Sequence, residues 1–145
     1  MKAIYAGSFD PFTTGHLDIA QRALKICDKL IIALGENINK KPFIPLDIRV
    51  ESIKRLFEGE SRISVCSYKG LTIDLAKELK ANFLIRGIRN SIDFEYESNM
   101  AEINRQLSGI ETIMMFADPA KSFISSSMVR ELTAYGYDVS QFIPE

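Results

Sequence analysis

Five short apolar runs punctuate the chain: AIYA (3–6), KLIIAL (29–34), RISVCS (62–67), ANFLIRG (81–87) and TIMMFA (112–117). Each is rich in Ile, Val, Leu or Phe and short enough to be a buried strand. Between them, apolar positions recur at helical spacing. Leu17, Ala20, Leu24 and Cys27 make one face of a first helix, while Gln21, Arg22, Lys25 and Asp28 lie mostly elsewhere. The same periodicity predicts helices over 46–58, 71–80, 93–108 and 126–135, with Gly59 and Gly136 where C-caps are expected. Strands that are apolar on both faces, alternating with helices, imply a parallel sheet covered on both sides. The expectation is an α/β fold: a single doubly wound, Rossmann-like domain over 1–145 with a five-stranded sheet. In such sheets ligands bind beyond the carboxyl ends of the strands, where the strand order reverses. The loops to read for chemistry are therefore 7–16, 35–45, 68–72, 86–92 and 117–126.

Composition narrows the classes without naming one. A chain of 145 residues, 46% hydrophobic, 26% charged and with net charge -1, has a globular balance and no basic footprint for nucleic acid. No apolar run approaches the ~20 residues of a membrane span and the N-terminus lacks a signal-peptide pattern, so a cytoplasmic protein is expected. Cys27 and Cys66 occur without a CxxC or a Cys/His cluster, which predicts buried free thiols and no protein-built metal site.

The first loop, GSFDPFTTGH (7–16), holds the chain's one histidine. If the first helix starts near Thr14 or Gly15, then Thr13 or Thr14 caps it and His16 falls in its first turn. Free N–H groups and the positive end of the helix dipole favour an anion there, and a histidine adds a directed donor. Gly7 is expected to let the backbone approach a ligand, and Pro11 to stiffen the loop. Neither GxxxxGK[ST] nor GxGxxG is present, so the phosphate site is of another type.

The other loops add cations. Lys40 and Lys41 precede Pro42 after the second strand. IRGIRN places Arg86 and Arg89 around Gly87 at the end of the fourth, followed by DFEYE (93–97). Guanidinium forks suit phosphate oxygens, although pairing with Glu95 or Glu97 is the plainer alternative. KSFISSSMVRE clusters Ser125, Ser126 and Ser127 at the start of the last helix, where serines often serve only as N-caps.

Thr13-Thr14-Gly15-His16 after GSFDP resembles the (H/T)xGH signature of nucleotidylyltransferases. AIYAGSFDPFTTGH, KKP, the KGLT turn, LIRGIRNSIDFEYE, MAEINRQL, SFISSSMVRE and FIPE together resemble the bacterial phosphopantetheine adenylyltransferase family over nearly the whole chain. The resemblance implies transfer of AMP from ATP to 4'-phosphopantetheine, giving dephospho-coenzyme A and pyrophosphate. The nucleophile is already ionised, so no general base is required. By match to the family's positions, His16, Lys40 and Arg89 are the catalytic groups. ATP is expected at Ser8, Phe9, His16, Gly87, Ile88, Arg89, Glu97, Lys121, Ser122, Phe123, Ile124, Ser125, Ser126 and Ser127. The acceptor is expected at Ser8, Lys40, Thr72 and Arg86, with Met100, Ile103 and Asn104 completing its channel or simply packing the core. The resemblance further implies Mg²⁺ carried by nucleotide phosphates, a homohexamer, and coenzyme A as a feedback ligand. Family members usually continue past FIPE into a further helix, which leads us to expect differences at the site rim or in subunit packing. The alternatives are a sister enzyme of the same fold, acting for example on nicotinamide mononucleotide or glycerol 3-phosphate, and a non-catalytic nucleotide-binding module. IRGIRNSIDFEYE speaks against the former, and the retained His16, Lys40, Arg86 and Arg89 against the latter.

Overall fold

The structure, a computed structural model, describes residues 1–145. In chain order the elements are β1 (Lys2–Gly7), α1 (Thr14–Ala23), β2 (Lys29–Gly35), α2 (Leu46–Leu56) and β3 (Ile63–Tyr68). They continue as α3 (Thr72–Glu78), β4 (Phe83–Ile88), α4 (Ser91–Ser108), β5 (Glu111–Phe116) and α5 (Ser126–Ala134). All five strands are parallel, in the order β3-β2-β1-β4-β5.

Alternation along the strands builds two cores. Ala3 and Tyr5 of β1, Leu30, Ile32 and Leu34 of β2, and Phe83 and Ile85 of β4 face Ile19, Ala20 and Ala23 of α1 and Ile53 of α2. The intervening residues, Ile4 and Ala6, Ile31 and Ala33, and Leu84, meet Ile73 and Ala76 of α3 on the other side. A strand buried on both faces needs apolar residues at consecutive positions, which is why these runs are continuous in the sequence. The chain winds outward from β1 to β3, then crosses back to β4 on the opposite side of β1. The order therefore reverses between β1 and β4, and the crevice opens above Gly7 and Ile88.

Two local expectations are corrected. Helix α2 ends at Leu56 with Phe57 as its cap, so Gly59 lies beyond the helix in the following turn. Gly136 does follow the cap of α5 with φ of 81°, and Gly109 caps α4 with φ of 76°, a left-handed conformation that costs glycine little. Cys27 is buried, but Cys66, on the outer strand β3, is only half-buried because no further strand covers that edge.

Candidate active site at the carboxyl ends of β1 and β4

Thr13 caps α1. Its hydroxyl accepts the His16 backbone N–H (3.3 Å), and the His16 ring Nδ1 accepts the Thr13 backbone N–H (2.9 Å), making a reciprocal capping box. This cap decides the chemistry of the ring. With Nδ1 used as an acceptor, the neutral imidazole carries its proton on Nε2 and can only donate from there. Burial pushes the His16 pKa down to about 3, helped by the nearby positive charges of Arg89 and Arg86. A neutral N–H donor thus lines a cavity of about 370 Å³ shared with Ser8, Lys40, Arg86, Arg89 and Lys121.

The ring is held by aromatic walls: Phe9 packs against it edge-on at 5.0 Å and Phe12 at 5.4 Å. Phe9 is 3% exposed and adopts φ of 48°, an uncommon conformation for a bulky residue. That backbone folds its ring over Gly7, where a Cβ would sit 3.1 Å from the ring. Gly7 therefore makes room for Phe9, which refines its expected role of admitting a ligand. A more apolar cavity of about 340 Å³ backs onto Phe9 and Phe12 from the far side, out of reach of His16 and Lys40.

Asp10, the aspartate of GSFDP, explains how a second loop joins the site. Its carboxylate accepts the backbone N–H groups of Phe43 and Ile44, both at 2.8 Å, and stands 3.8 Å from the Arg49 guanidinium. Arg49 in turn donates to the Ser8 and Ile44 carbonyls. The segment carrying Lys40 is thereby fastened to the β1–α1 loop. Lys40 itself has no ion-pair partner, and it borders both this cavity and an adjoining one of about 840 Å³ that Lys41 also lines. Arg130 of α5, which the sequence reading did not single out, stands between the two cavities. It donates to the Asp10 carbonyl (2.7 Å) and to Ser127 Oγ (3.1 Å). Its position three residues after the serine cluster, one helical turn on, was the available signal.

Both arginines of IRGIRN are paired. Arg86 binds Glu97 through two parallel bonds (2.8 and 2.7 Å) and donates to the Ala6 carbonyl, so Glu97 orients Arg86 and the plainer reading of that pair holds in part. Arg89 makes the corresponding fork to Asp93 one turn along α4. Both guanidinium groups still reach the cavity. On the other side of Arg86 a smaller chamber of about 180 Å³ is lined by Thr72, Tyr96, Met100, Asn104 and Thr112. Ile103 is half exposed and takes no part in it. Glu97→Gln should lower stability by about 1–2 kcal/mol, less than for a fully buried pair because the Arg86 side chain is 35% exposed. The midpoint of a urea titration checks this.

The last loop contributes mainly through its backbone. Ser125 is the N-cap of α5, accepting from Met128 N–H, and Ser126 Oγ donates to the Pro11 carbonyl (2.7 Å). With their hydroxyls so engaged, Ser126 and Ser127 offer the free N–H groups of the helix's first turn. Lys121 and Ile124 line the cavity, whereas Ser122 bonds back to Pro119 and Phe123 meets Phe142 edge-on outside it. Gly15 lies beside this segment, and a Cβ there would meet the carbonyls of Lys121 and Ile124 at 3.9 Å, an ordinary contact, so the approach does not itself require glycine. Ile88 is buried and Gly87, beside it, lines the cavity.

Residues 4–132 match the cytidylyltransferase-like family model. The chain is 51% identical to the phosphopantetheine adenylyltransferase of Bacteroides thetaiotaomicron, over 99% of this chain and 95% of that protein. It is 50% identical to that of Porphyromonas gingivalis, covering 99% and 94%. Among solved structures, a bifunctional NMN adenylyltransferase/ADP ribose pyrophosphatase from Francisella tularensis superposes with a TM-score of 0.72 at 15% identity, over 99% of this chain and 45% of that one. A putative nicotinate-nucleotide adenylyltransferase from Vibrio parahaemolyticus gives 0.67 at 17% identity, over 99% and 93%. These two establish the fold alone; the close relatives establish more, and the chain belongs to the phosphopantetheine adenylyltransferases of the cytidylyltransferase-like family.

Proposed function

We propose that the protein transfers AMP from ATP to 4'-phosphopantetheine, releasing pyrophosphate and forming dephospho-coenzyme A. The observation that carries this reading is the 51% identity, over nearly the full length of both chains, to an enzyme of that name. The geometry supports it. In the reaction a phosphate oxygen of the acceptor bonds to the α-phosphorus of ATP while the α–β bridging bond breaks and the electron pair leaves with pyrophosphate. No proton has to be removed from the acceptor, so a neutral His16 that can only donate suits the task. Its Nε2–H, on a ring that borders the cavity, would donate to the transferred group as charge builds there. Lys40 and Lys121, both without ion-pair partners, and the forked Arg89 would bring two mutually repelling anions together.

Ser8 borders both larger cavities and is suited to lie between the two substrates. Arg86, held by Glu97, opens toward the smaller chamber, where Thr72, Met100 and Asn104 would line the pantetheine arm. The nucleotide would lie along Gly87, Arg89, Lys121 and the N-terminus of α5, with Phe9 and Ile88 contributing through the main chain. Mg²⁺ would arrive with ATP: Asp93 and Glu97, the carboxylates on the cavity, are each committed to an arginine, and no group of three His, Cys, Asp or Glu side chains is placed to hold a metal. The ion would supply charge neutralisation at the phosphates. No helix is long and apolar enough to cross a membrane; the adenylyl-transfer reading, with ATP as donor, is that of a cytoplasmic enzyme. Ile92, Tyr96, Ile103 and Leu107 stand exposed on α4, an apolar face suited to the subunit contacts of a homohexamer. Coenzyme A, which contains the product's adenylyl and pantetheine parts, would bind the same site as a feedback ligand.

Pyrophosphate release tests the reaction. Release is expected with ATP plus 4'-phosphopantetheine, and none with CTP plus glycerol 3-phosphate or ATP plus nicotinamide mononucleotide. Release from only one of the latter pairs would keep the fold and refute the acceptor; silence in all three from folded protein would favour a binding module.

A further inference from the structure

We infer that the hydroxyl of Tyr5 is an additional binding group of this site, donating a hydrogen bond to a phosphate oxygen of the nucleotide. The inference deepens the adenylyl-transfer reading and rests on it. Tyr5 sits on β1, two residues before Gly7, with its ring in the core against Phe9 at 5.0 Å and only 4% of the residue exposed. Its oxygen ends at the wall of the nucleotide cavity, where a Cβ added to Gly87 would lie 3.9 Å away. No protein group bonds to it. Thr112 Oγ1 is the one side-chain polar atom both sealed from solvent and without a partner, so the Tyr5 hydroxyl is open, and its opening is the cavity.

Buried phenols normally find a hydrogen-bond partner, because an unpaired hydroxyl loses its water without compensation. Phenylalanine would fill the same core space without that cost. The hydroxyl is therefore explained by something that enters the cavity. Burial raises its pKa well above the ordinary phenol value, which keeps the proton on the oxygen and leaves a donor. The nearest positive influences on it are Arg86 and Arg89, opposed by Asp18 and Glu97. An acceptor drawn into that field is anionic. The His16 ring, 6.4 Å from the Tyr5 ring, lies on the same side, which assigns the acceptor to the nucleotide phosphates rather than to the pantetheine chamber beyond Arg86.

The test is Tyr5→Phe, compared with wild type in three measurements: the unfolding midpoint without ligand, and calorimetric affinities for a non-hydrolysable ATP analogue and for 4'-phosphopantetheine. The unliganded midpoint should be unchanged or higher. Affinity for the ATP analogue should fall roughly tenfold, the value of a hydrogen bond to a charged group. Phosphopantetheine binding should stay within about twofold, since it loses no contact. A lowered midpoint or a failure to fold would overturn the inference by making the hydroxyl structural; so would unchanged nucleotide affinity, or equal losses for both ligands. If wild type itself binds no nucleotide, the adenylyl-transfer reading fails and takes this assignment with it. Wild-type binding beside an unaffected variant sinks Tyr5 alone.

Discussion

His16→Ala is expected to reduce turnover by about 10²–10³-fold, the usual cost of removing one donor aimed at developing charge. The loss should appear in kcat, with KM for ATP changed far less, because the donor matters most when the α-phosphoryl carries its greatest charge. Stability should fall too, by about 1 kcal/mol, since Nδ1 is half of the α1 capping box and its loss leaves the Thr13 N–H without that acceptor. His16→Gln separates the two roles. Glutamine is the ordinary partner in such a box and should restore the unfolding midpoint, while its amide lacks the reach of Nε2 and should leave turnover low. The pH dependence follows from the same geometry. The native imidazole stays neutral down to about pH 3, whereas the unfolded chain's histidine takes a proton near its ordinary value. The unfolded state therefore binds the extra proton, and stability is lost as pH falls below ~6.5, at no more than about 1.4 kcal/mol per pH unit. Denaturant midpoints between pH 7 and 4.5 should show this slope in wild type and lose His16's share of it in His16→Gln. Turnover should show no titration of this group near neutrality.

Asp10→Ala should have the largest effect on stability. The change strips two backbone N–H groups of their acceptor and leaves the Arg49 guanidinium, 7% exposed, without its counter-charge. A cost of about 3–4 kcal/mol is expected, a large part of a total that is commonly only ~5–15 kcal/mol. Activity should fall further than that of Lys40→Ala, because the whole segment bearing Lys40 loses its anchor along with the Ser8 carbonyl that Arg49 holds. Asp10→Asn keeps an acceptor for one N–H and should lie between wild type and alanine. The readouts are a urea midpoint together with kcat and KM for both substrates. Equal stability of all three proteins would remove Asp10 from its anchoring role.

Much of this protein is decided locally and can be read from its residues. Five continuous apolar runs separated by amphipathic segments admit few arrangements other than a covered parallel sheet, because each strand must be apolar on both faces. Thr13 and His16, three residues apart at a helix start, form their cap within one turn of chain. Local register likewise placed the last helix one residue after its Ser125 cap and put Gly136 just beyond its end. Other features depend on groups that only the fold brings together. The partner of Arg86 lies eleven residues away on another element, so the sequence could offer Glu95 and Glu97 alike, and the pitch of α4 chose Glu97. The task of Asp10 depends on backbone groups more than thirty residues distant. Gly7 borders the cavity, and only the left-handed turn at Phe9 gives it the second task of making room for a ring. The half-buried state of Cys66 follows from strand order, which periodicity does not encode. The sequence by itself determined the order of strands and helices and a phosphate-binding crevice at their ends, since propensity, capping and side-chain type act within a few residues, while the reaction was legible through the resemblance of its motifs to a family. Tertiary structure alone decided that Glu97 neutralises Arg86, that Lys40 and Lys121 keep no ion-pair partner and that burial keeps the His16 imidazole neutral, because electrostatic and packing energies depend on distance in space rather than along the chain.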